Sequence, residues 1–168
     1  MDVKAENGKI EVLMEDNANS VGDIKEIRKA DRGEKLTKAE LKEYRKDTGK
    51  ISWLSQGTRP DLRYSALMLA KKNNSATIAD LRNVNTIVGK VKKEENKVVY
   101  GRVGDKEKLQ VLGIVDTSYK SDEKSIGGML MVIADDKMTK ASPIMWKSKQ
   151  IERVCHSSKD AQTLAMSK

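Results

Sequence analysis

The sequence contains no Phe, one His, one Cys and two Pro among its 168 residues. A single cysteine, Cys155, cannot form an intramolecular disulfide, and this is typical of proteins from a reduced intracellular compartment. The single histidine, His156, has no second His or Cys at ligand spacing, which argues against a zinc site. We interpret Cys155 as a small core residue and His156 as part of a linker.

Aromatic residues are scarce, at 4% of the chain, and the Trp and Tyr residues do not cluster. This argues against a base-stacking platform of the RRM or OB type. No apolar run approaches the roughly 18–20 residues that a membrane span needs. The N-terminal residues also lack the basic and apolar segments of a signal peptide. We therefore expect an intracellular protein, in the cytoplasm or the nucleus, that does not use a membrane.

Positive charge is concentrated in the later part of the chain. Residues 1–35 hold 7 basic and 9 acidic side chains, a balance of −2, whereas residues 36–168 hold 26 and 16, a balance of +10. A basic domain is the electrostatic pattern expected of a protein that binds a phosphate backbone. Lysine-rich surfaces also serve solubility alone, so charge by itself leaves both interpretations open.

The first two-thirds of the chain predict a lead-in followed by helices. Residues 1–36 mix charges with Asn, Gly and Ser without a sustained period, and we interpret them as a charged, partly ordered lead-in. Thr37 and Glu40 form a capping-box pattern that begins a helix reaching about Ser55. Pro60 suits the first turn of a second helix, and an apolar stripe predicts a third over 77–92.

The later residues change to a period of two, which predicts strands. We expect strands over 97–103 and 109–119, joined as a hairpin, and two more over 127–134 and 143–150. Ser157 or Ser158 then caps a final helix. Helices followed by strands indicate an α+β fold with domains at 37–104 and 105–168 after the lead-in.

Asp116 is the residue in this pattern that points to chemistry. Strand alternation places it on one face with Leu112 and Ile114. A carboxylate that continues an apolar face is costly unless it meets a cation or hydrogen-bond donors, so it is either a structural cap or a metal ligand.

The chain resembles copia-type LTR retrotransposon polyproteins over residues 38–168. The order and spacing of its motifs carry the resemblance, since each motif alone is short. They are Arg59-Pro60-Asp61-Leu62 after a Trp-containing helix, Val115-Asp116-Thr117-Ser118 in a strand, the turn Lys124-Ser125-Ile126-Gly127-Gly128, Trp146-Lys147-Ser148-Lys149-Gln150 and the helix of Ser157 to Ala165.

The resemblance implies that residues 37–104 are the end of a reverse transcriptase and its tether. It also implies that residues 105–168 are the first half of an RNase H domain, with a mixed sheet and a flanking helix. In that family Asp116 would be catalytic and would bind Mg²⁺. The second catalytic position, a Glu in the family, is Gln162 here. A neutral amide cannot supply the anionic oxygen of a Mg²⁺ site. The family's next Asp-bearing strand would lie beyond Lys168.

Four basic residues would lie near the family's nucleic-acid duplex: Lys147, Lys149, Arg153 and Lys159. They predict weak binding of an RNA–DNA hybrid or another nucleic acid, although solvated lysines on an edge strand would produce the same pattern. Trp146 is interpreted as a core residue.

The favoured hypothesis is a retrotransposon-derived fragment with an inactive RNase H-like site and weak nucleic-acid binding. One alternative is a Mg²⁺-dependent ribonuclease H seen here truncated. Another is a domesticated interaction module, because the 109–119 strand would have an open edge. That edge would be covered by the 97–103 strand or by a partner, or would cause self-association.

Overall fold

The computed structural model describes residues 1–22, 27–104, 108–119, 124–152 and 155–166. Helices accompany two small three-stranded sheets, which confirms the predicted α+β class. The chain divides into two compact units, residues 1–4 with 11–98 and residues 5–10 with 99–168. The division near residue 98 lies close to the boundary predicted after residue 104. The boundary predicted after residue 36 falls within the first unit.

The predicted helices of the first unit are confirmed. Thr37 begins the longest one: its hydroxyl accepts a hydrogen bond from the Glu40 N–H at 3.3 Å, and the Glu40 carboxylate accepts from the Thr37 N–H at 2.8 Å. This reciprocal cap satisfies N–H groups that the first turn leaves without helical partners. The helices are α1 (Glu15–Ser20), α2 (Lys38–Gly57), α3 (Arg63–Lys71) and α4 (Ile78–Lys93), with a 3₁₀ turn at Pro60–Leu62.

The apolar sides of these helices form one core. Tyr44, Ile51 and Leu54 of α2 are fully buried, and Val84 and Val88 of α4 are buried in the same cluster. The Tyr44 hydroxyl donates a hydrogen bond to the Leu69 carbonyl at 2.8 Å, so its polar end is satisfied. Burial raises the pKa of Tyr44 to about 12, because the phenolate would lose its hydration.

The N-terminal residues contain more regular structure than the sequence analysis predicted. Strands β1 (Asp2–Glu6) and β2 (Lys9–Leu13) flank Asn7 and Gly8, which both have positive φ, at 51° and 74°. Asn-Gly is the preferred pair for such a two-residue hairpin turn. Beyond the hairpin, Met14 is fully buried in the first unit's core.

The predicted hairpin between residues 97–103 and 109–119 is wrong. Strand β3 (Lys97–Tyr100) belongs to a sheet of order β1-β2-β3, so it does not cover the edge of the 109–119 strand. Next to it, the Met14 N–H donates to the Asn96 carbonyl at 3.0 Å, and the Asn96 N–H donates to Glu15 Oε1 at 3.3 Å. The residues beside β3 therefore bond to the N-terminal part of the chain and not to the strand that begins at residue 109.

The second unit contains an antiparallel sheet and one helix. The three predicted strands and the final helix are confirmed, and Ser157 is the helix cap, since its Oγ accepts from the Asp160 N–H at 3.1 Å. All described pairings are antiparallel, so the mixed sheet expected from the resemblance is not observed in the described residues. Antiparallel strands can be joined by short connections, whereas parallel strands need a crossover of a dozen or more residues. The elements are β4 (Leu109–Ser118), β5 (Ile126–Asp135), β6 (Ala141–Gln150) and α5 (Ser158–Met166), with strand order β4-β5-β6.

A small apolar cluster holds α5 against the sheet. Cys155 is buried with Ile151 and Ala161, as the sequence indicated, and Leu164 and Ala165 pack against them. Within the residues described, no helix is both long and apolar enough to span a bilayer.

Candidate nucleic-acid interface

Lys147 and Lys149 lie on the same face of β6. They are two positions apart on the strand, and their register partners on β5 are Met129 and Gly127, respectively. Both lysine side chains are exposed. Since residues opposite each other on antiparallel strands share a face, the two ammonium groups stand above these β5 residues.

A shallow groove of about 50 Å³ runs between this face and α5. Gly127 and Gly128 lie along it on the β5 side, and Leu164 and Ala165 on the α5 side. A Cβ added at Gly127 would lie 3.1 Å from the Cβ of Ala165, so the missing side chain is what lets the helix approach the strand. Lys147 and Lys149 also line the groove. The result is a largely apolar depression with two cations beside it, which suits a ligand that carries negative charge.

The two lysines differ in their neighbours. Lys149 Nζ lies 3.4 Å from Glu152 Oε1, and both side chains are more than half exposed. Such a surface pair contributes little to stability and is readily exchanged for another anion. In the part of the chain that the structure describes, no ion pair involves Lys147. Lys147 is therefore available to bind an anion.

Of the other two basic residues predicted to lie near nucleic acid, Lys159 and Arg153, the structure describes only Lys159. Lys159 is exposed in the first turn of α5, where its carbonyl accepts a hydrogen bond from the Thr163 hydroxyl at 3.0 Å. Arg153 lies outside the described residues. The structure thus brings together two of the four predicted residues, Lys147 and Lys149.

Trp146 lies between these two lysines in sequence and on the opposite face of β6. It is partly buried, and its register partner on β5 is Leu130. Trp146 was interpreted as a core residue; it packs across the strands but is only partly buried and belongs to neither apolar core cluster.

Asp116 lies at an exposed position, so the expectation that its carboxylate continues a buried apolar face of the strand is wrong. β4 is an edge strand and most of its side chains are exposed. The Asp116 carboxylate accepts a hydrogen bond from the Thr117 N–H at 2.8 Å. Water therefore solvates this carboxylate, and the sequence argument from its burial cost does not apply.

Gln162 is also exposed, on α5. Gly127 lies close to α5, and its register partner on β4 is Thr117. Asp116 is one position from Thr117, so its side chain starts on the opposite face of β4. Among the described residues, no hydrogen bond joins Asp116 to Gln162.

The described residues do not fit a two-metal site. No group of three or more His, Cys, Asp or Glu side chains in the described ranges could hold a metal ion. Two Mg²⁺ ions need several anionic oxygens, whereas the two positions that the resemblance makes catalytic hold one exposed carboxylate, Asp116, and a neutral amide, Gln162.

The motif around Pro60 is explained by an ion-pair network around a buried arginine, whose carboxylate partners Asp61 and Glu94 are more than half exposed; the sequence analysis did not identify it. The Arg59 side chain is 4% exposed. Its Nη2 donates to Glu94 Oε2 at 2.5 Å and its Nη1 to Asn96 Oδ1 at 3.2 Å. The sequence signal for this network was an arginine placed between the end of a helix and a proline. In this chain the Arg-Pro-Asp motif is structural, because Arg59 links α2 to the end of α4.

The glycines along the groove are the second feature that sequence reasoning missed. Adjacent glycines within a strand mark a place where another element approaches the backbone closely. Gly127 and Gly128 carried that signal, but it did not identify α5 as the element.

No protein-family model matches this chain, and neither the curated proteins nor the solved structures include a similar one.

Proposed function

We propose that this chain is a retroelement-derived protein whose RNase H-like second unit is catalytically inactive and binds nucleic acid weakly, without sequence preference. The observation that carries the proposal is the pair of exposed lysines, Lys147 and Lys149, beside the groove between β6 and α5. The +10 balance of residues 36–168 supports it, because a basic surface attracts a phosphate backbone.

The RNase H-like part of the proposal is supported by the order of elements. Three antiparallel strands are followed by a helix that packs back on the first two of them, β4 and β5. That order agrees with the first half of the domain implied by the motif resemblance. The inactive part is supported by chemistry, since Gln162 cannot provide a carboxylate.

The contacts proposed here are electrostatic. Each lysine near the groove neutralises one phosphate and releases its condensed counterions, so affinity falls as salt rises. The identity of the bases does not affect the affinity, because lysine ammonium groups that contact only the phosphate backbone cannot distinguish one base from another. An RNA–DNA hybrid and a DNA duplex of equal length should therefore bind with similar affinity.

Fluorescence anisotropy of a labelled RNA–DNA hybrid, measured over a series of salt concentrations, tests the proposal. The Lys147→Gln/Lys149→Gln variant should bind more weakly, and its slope of log affinity against log salt should be shallower by roughly 2, about one for each lost phosphate contact. The matched control is Lys71→Gln/Lys72→Gln, which removes two exposed lysines elsewhere. Equal loss in both variants, or no binding at low salt, would contradict the proposal.

A further inference from the structure

Trp53 is a large apolar side chain that the first unit leaves exposed. It lies near the end of α2 and is 57% exposed, whereas Ile51 and Leu54 beside it are fully buried. A single exposed apolar residue is common on protein surfaces, so its surroundings decide whether it can bind a ligand.

The neighbours of Trp53 on α2 leave its ring accessible. Neighbouring side chains on a helix are three and four positions apart. At four positions, Gly49 and Gly57 have no side chain, and beyond its own stretch of helix no atom lies within 4 Å of the place that a Cβ of Gly49 would occupy. At three positions, Lys50 and Gln56 each donate a hydrogen bond to a backbone carbonyl, so their polar ends are already engaged. Helical side chains lean toward the N-terminus, so the indole lies over the turn that holds Gly49.

A row of lysines leads along α2 to this ring. Lys38, Lys42 and Lys46 follow one another at intervals of four residues, and all three are exposed. Residues four apart share one side of a helix, and Trp53 follows Lys46 by seven residues, which is about two turns along the same side. At 1.5 Å per residue, the row from Lys38 to Trp53 is roughly 22 Å long. The indole therefore lies at one end of a cationic track.

The acidic side chains of α2 do little to neutralise this row. Glu40 takes part in the helix cap, and Asp47 is buried. Glu43 Oε2 lies 3.8 Å from Lys46 Nζ with both side chains exposed, and such a surface pair is readily exchanged for another anion. Within the described residues, no ion pair involves the other two lysines of the row. The row is therefore available to bind anions.

We propose that this side of α2 binds single-stranded nucleic acid, with a base stacked on Trp53 and the phosphates along the row of lysines. An exposed ring beside a cationic track is the combination that single-strand binding uses, and it accepts any base. In a duplex the bases are already stacked and paired, so contact with the indole would first require unstacking. This surface belongs to the first unit and does not depend on the interface proposed for the second. One ring on a helix also differs from the multi-aromatic sheet of an RRM, which the scarcity of aromatic residues argues against.

The composition of this side of α2 suits neither a protein partner nor a membrane. Protein interfaces are depleted in lysine and have an apolar centre. Trp53 is the one large apolar side chain exposed on α2, all of which the structure describes. A helix that lies in a membrane surface needs a free apolar face, whereas the apolar face of α2 is in the core with Tyr44, Ile51 and Leu54. A polyanion with flat aromatic groups fits a row of lysines that ends in an indole.

Tryptophan fluorescence of the 168-residue chain, titrated with a single-stranded DNA of about 12 nucleotides, tests the stacking. The DNA should quench the wild type, and anisotropy of a labelled strand should show that Trp53→Ala binds about 5- to 100-fold more weakly. Trp53→Phe keeps a ring, so it should bind nearly as the wild type does while the quenching is lost, which assigns the signal to Trp53. The matched control is Tyr64→Ala, which removes an exposed aromatic residue of α3 and should change neither result.

The salt dependence of the same titration tests the row of lysines. Each phosphate contact with a single strand contributes about 0.7 to the slope of log affinity against log salt, so Lys42→Gln/Lys46→Gln should make it shallower by about 1.4. The matched control is Lys92→Gln/Lys93→Gln, which removes two exposed lysines at the end of α4 and should leave the slope unchanged.

Three results would overturn the proposal. The first is the absence of Trp53 quenching at low salt, and the second is an equal loss of binding in Trp53→Ala and Tyr64→Ala. The third is equal quenching by a DNA duplex of the same length or by phosphatidylserine vesicles, which would show that this side of α2 attracts anionic surfaces in general. Because the signal comes from Trp53 itself, weak or absent binding at Lys147 and Lys149 would leave this test unaffected.

Discussion

Arg59 and Asp61 form a two-bond fork across Pro60. Arg59 Nε lies 2.9 Å from Asp61 Oδ1, and Nη2 lies 2.8 Å from Oδ2. The hydrogen bond from Arg59 is the main reason that the pKa of Asp61 is lowered, and the same bond raises the pKa of Arg59. The planar guanidinium matches a carboxylate in a way that an ammonium cannot. This pair, together with Glu94 and Asn96, fixes the connection between α2 and α3 to the end of α4.

Arg59→Lys should destabilise the first unit although it keeps the positive charge. Lysine cannot form the fork or reach three partners at once, so we expect a loss of about 2 kcal/mol in the free energy of unfolding. Urea denaturation followed by far-ultraviolet circular dichroism measures it. Arg45→Lys is the control, because Arg45 bonds Asn73 and Asn74 at the surface, and it should change stability by no more than about 0.5 kcal/mol. Equal losses would contradict the role of Arg59.

Acid should weaken the same network. The folded-state pKa of Asp61 is lowered, so its contribution is complete above the unfolded pKa of about 3.9 and is lost as pH falls through the folded value. The stability difference between wild type and Asp61→Asn should therefore shrink as pH falls below about 4. Urea midpoints at a series of pH values measure it. A difference that stays constant with pH would show that Asp61 does not act as a charged partner.

Gly127→Ala should destabilise the second unit, whereas Gly128→Ala should not. The new Cβ at position 127 would lie 3.1 Å from Ala165, but at position 128 the nearest atom is the Asp116 carbonyl oxygen at 3.8 Å. We expect a cost of about 1–2 kcal/mol at position 127 and no more than about 0.5 kcal/mol at position 128. Trp146 fluorescence in a Trp53→Phe background reports this unit. Equal effects at the two positions would mean that α5 does not pack on Gly127 as described.

The predictions that held depended on local rules. Thr37, Pro60 and Ser157 mark helix starts through cap and proline geometry that a few neighbouring residues determine. The strands of the second unit follow from alternation and short turns. The sequence of one strand does not show which distant strand it pairs with, and for this reason β3 was assigned to the wrong partner. The Asn7-Gly8 turn was a local signal that the analysis of the charged N-terminus overlooked.

The candidate site was harder to predict than the fold. The lysines at positions 147 and 149 could be placed on one face by counting alternate residues. The burial of Asp116 could not, because it depends on whether another strand lies beside β4, and alternation says nothing about that. Conversely, the sequence alone did not show that Arg59 is buried, because two of its three partners, Glu94 and Asn96, are distant in sequence.

The chain should not cleave the RNA strand of an RNA–DNA hybrid in the presence of Mg²⁺, and Gln162→Glu alone should not produce cleavage. One added carboxylate leaves too few anionic ligands for two metal ions held about 3.5–4 Å apart. A gel assay with a labelled hybrid measures the outcome. Asp116→Asn is the control for contaminating nuclease: cleavage by the wild type that Asp116→Asn abolishes would show that the site is active after all.

The contact between Met14 and Asn96 also affects how this protein is made. A ribosome adds roughly 5–20 residues per second, so Met14 leaves the peptidyl-transferase centre roughly 4 to 16 seconds before its carbonyl partner exists. During that interval Met14 and Val21, which the finished core buries, cannot reach their final surroundings. The nascent chain therefore presents apolar side chains that a ribosome-associated chaperone could bind, and a synonymous codon change that slows translation between residues 14 and 96 would lengthen this exposure.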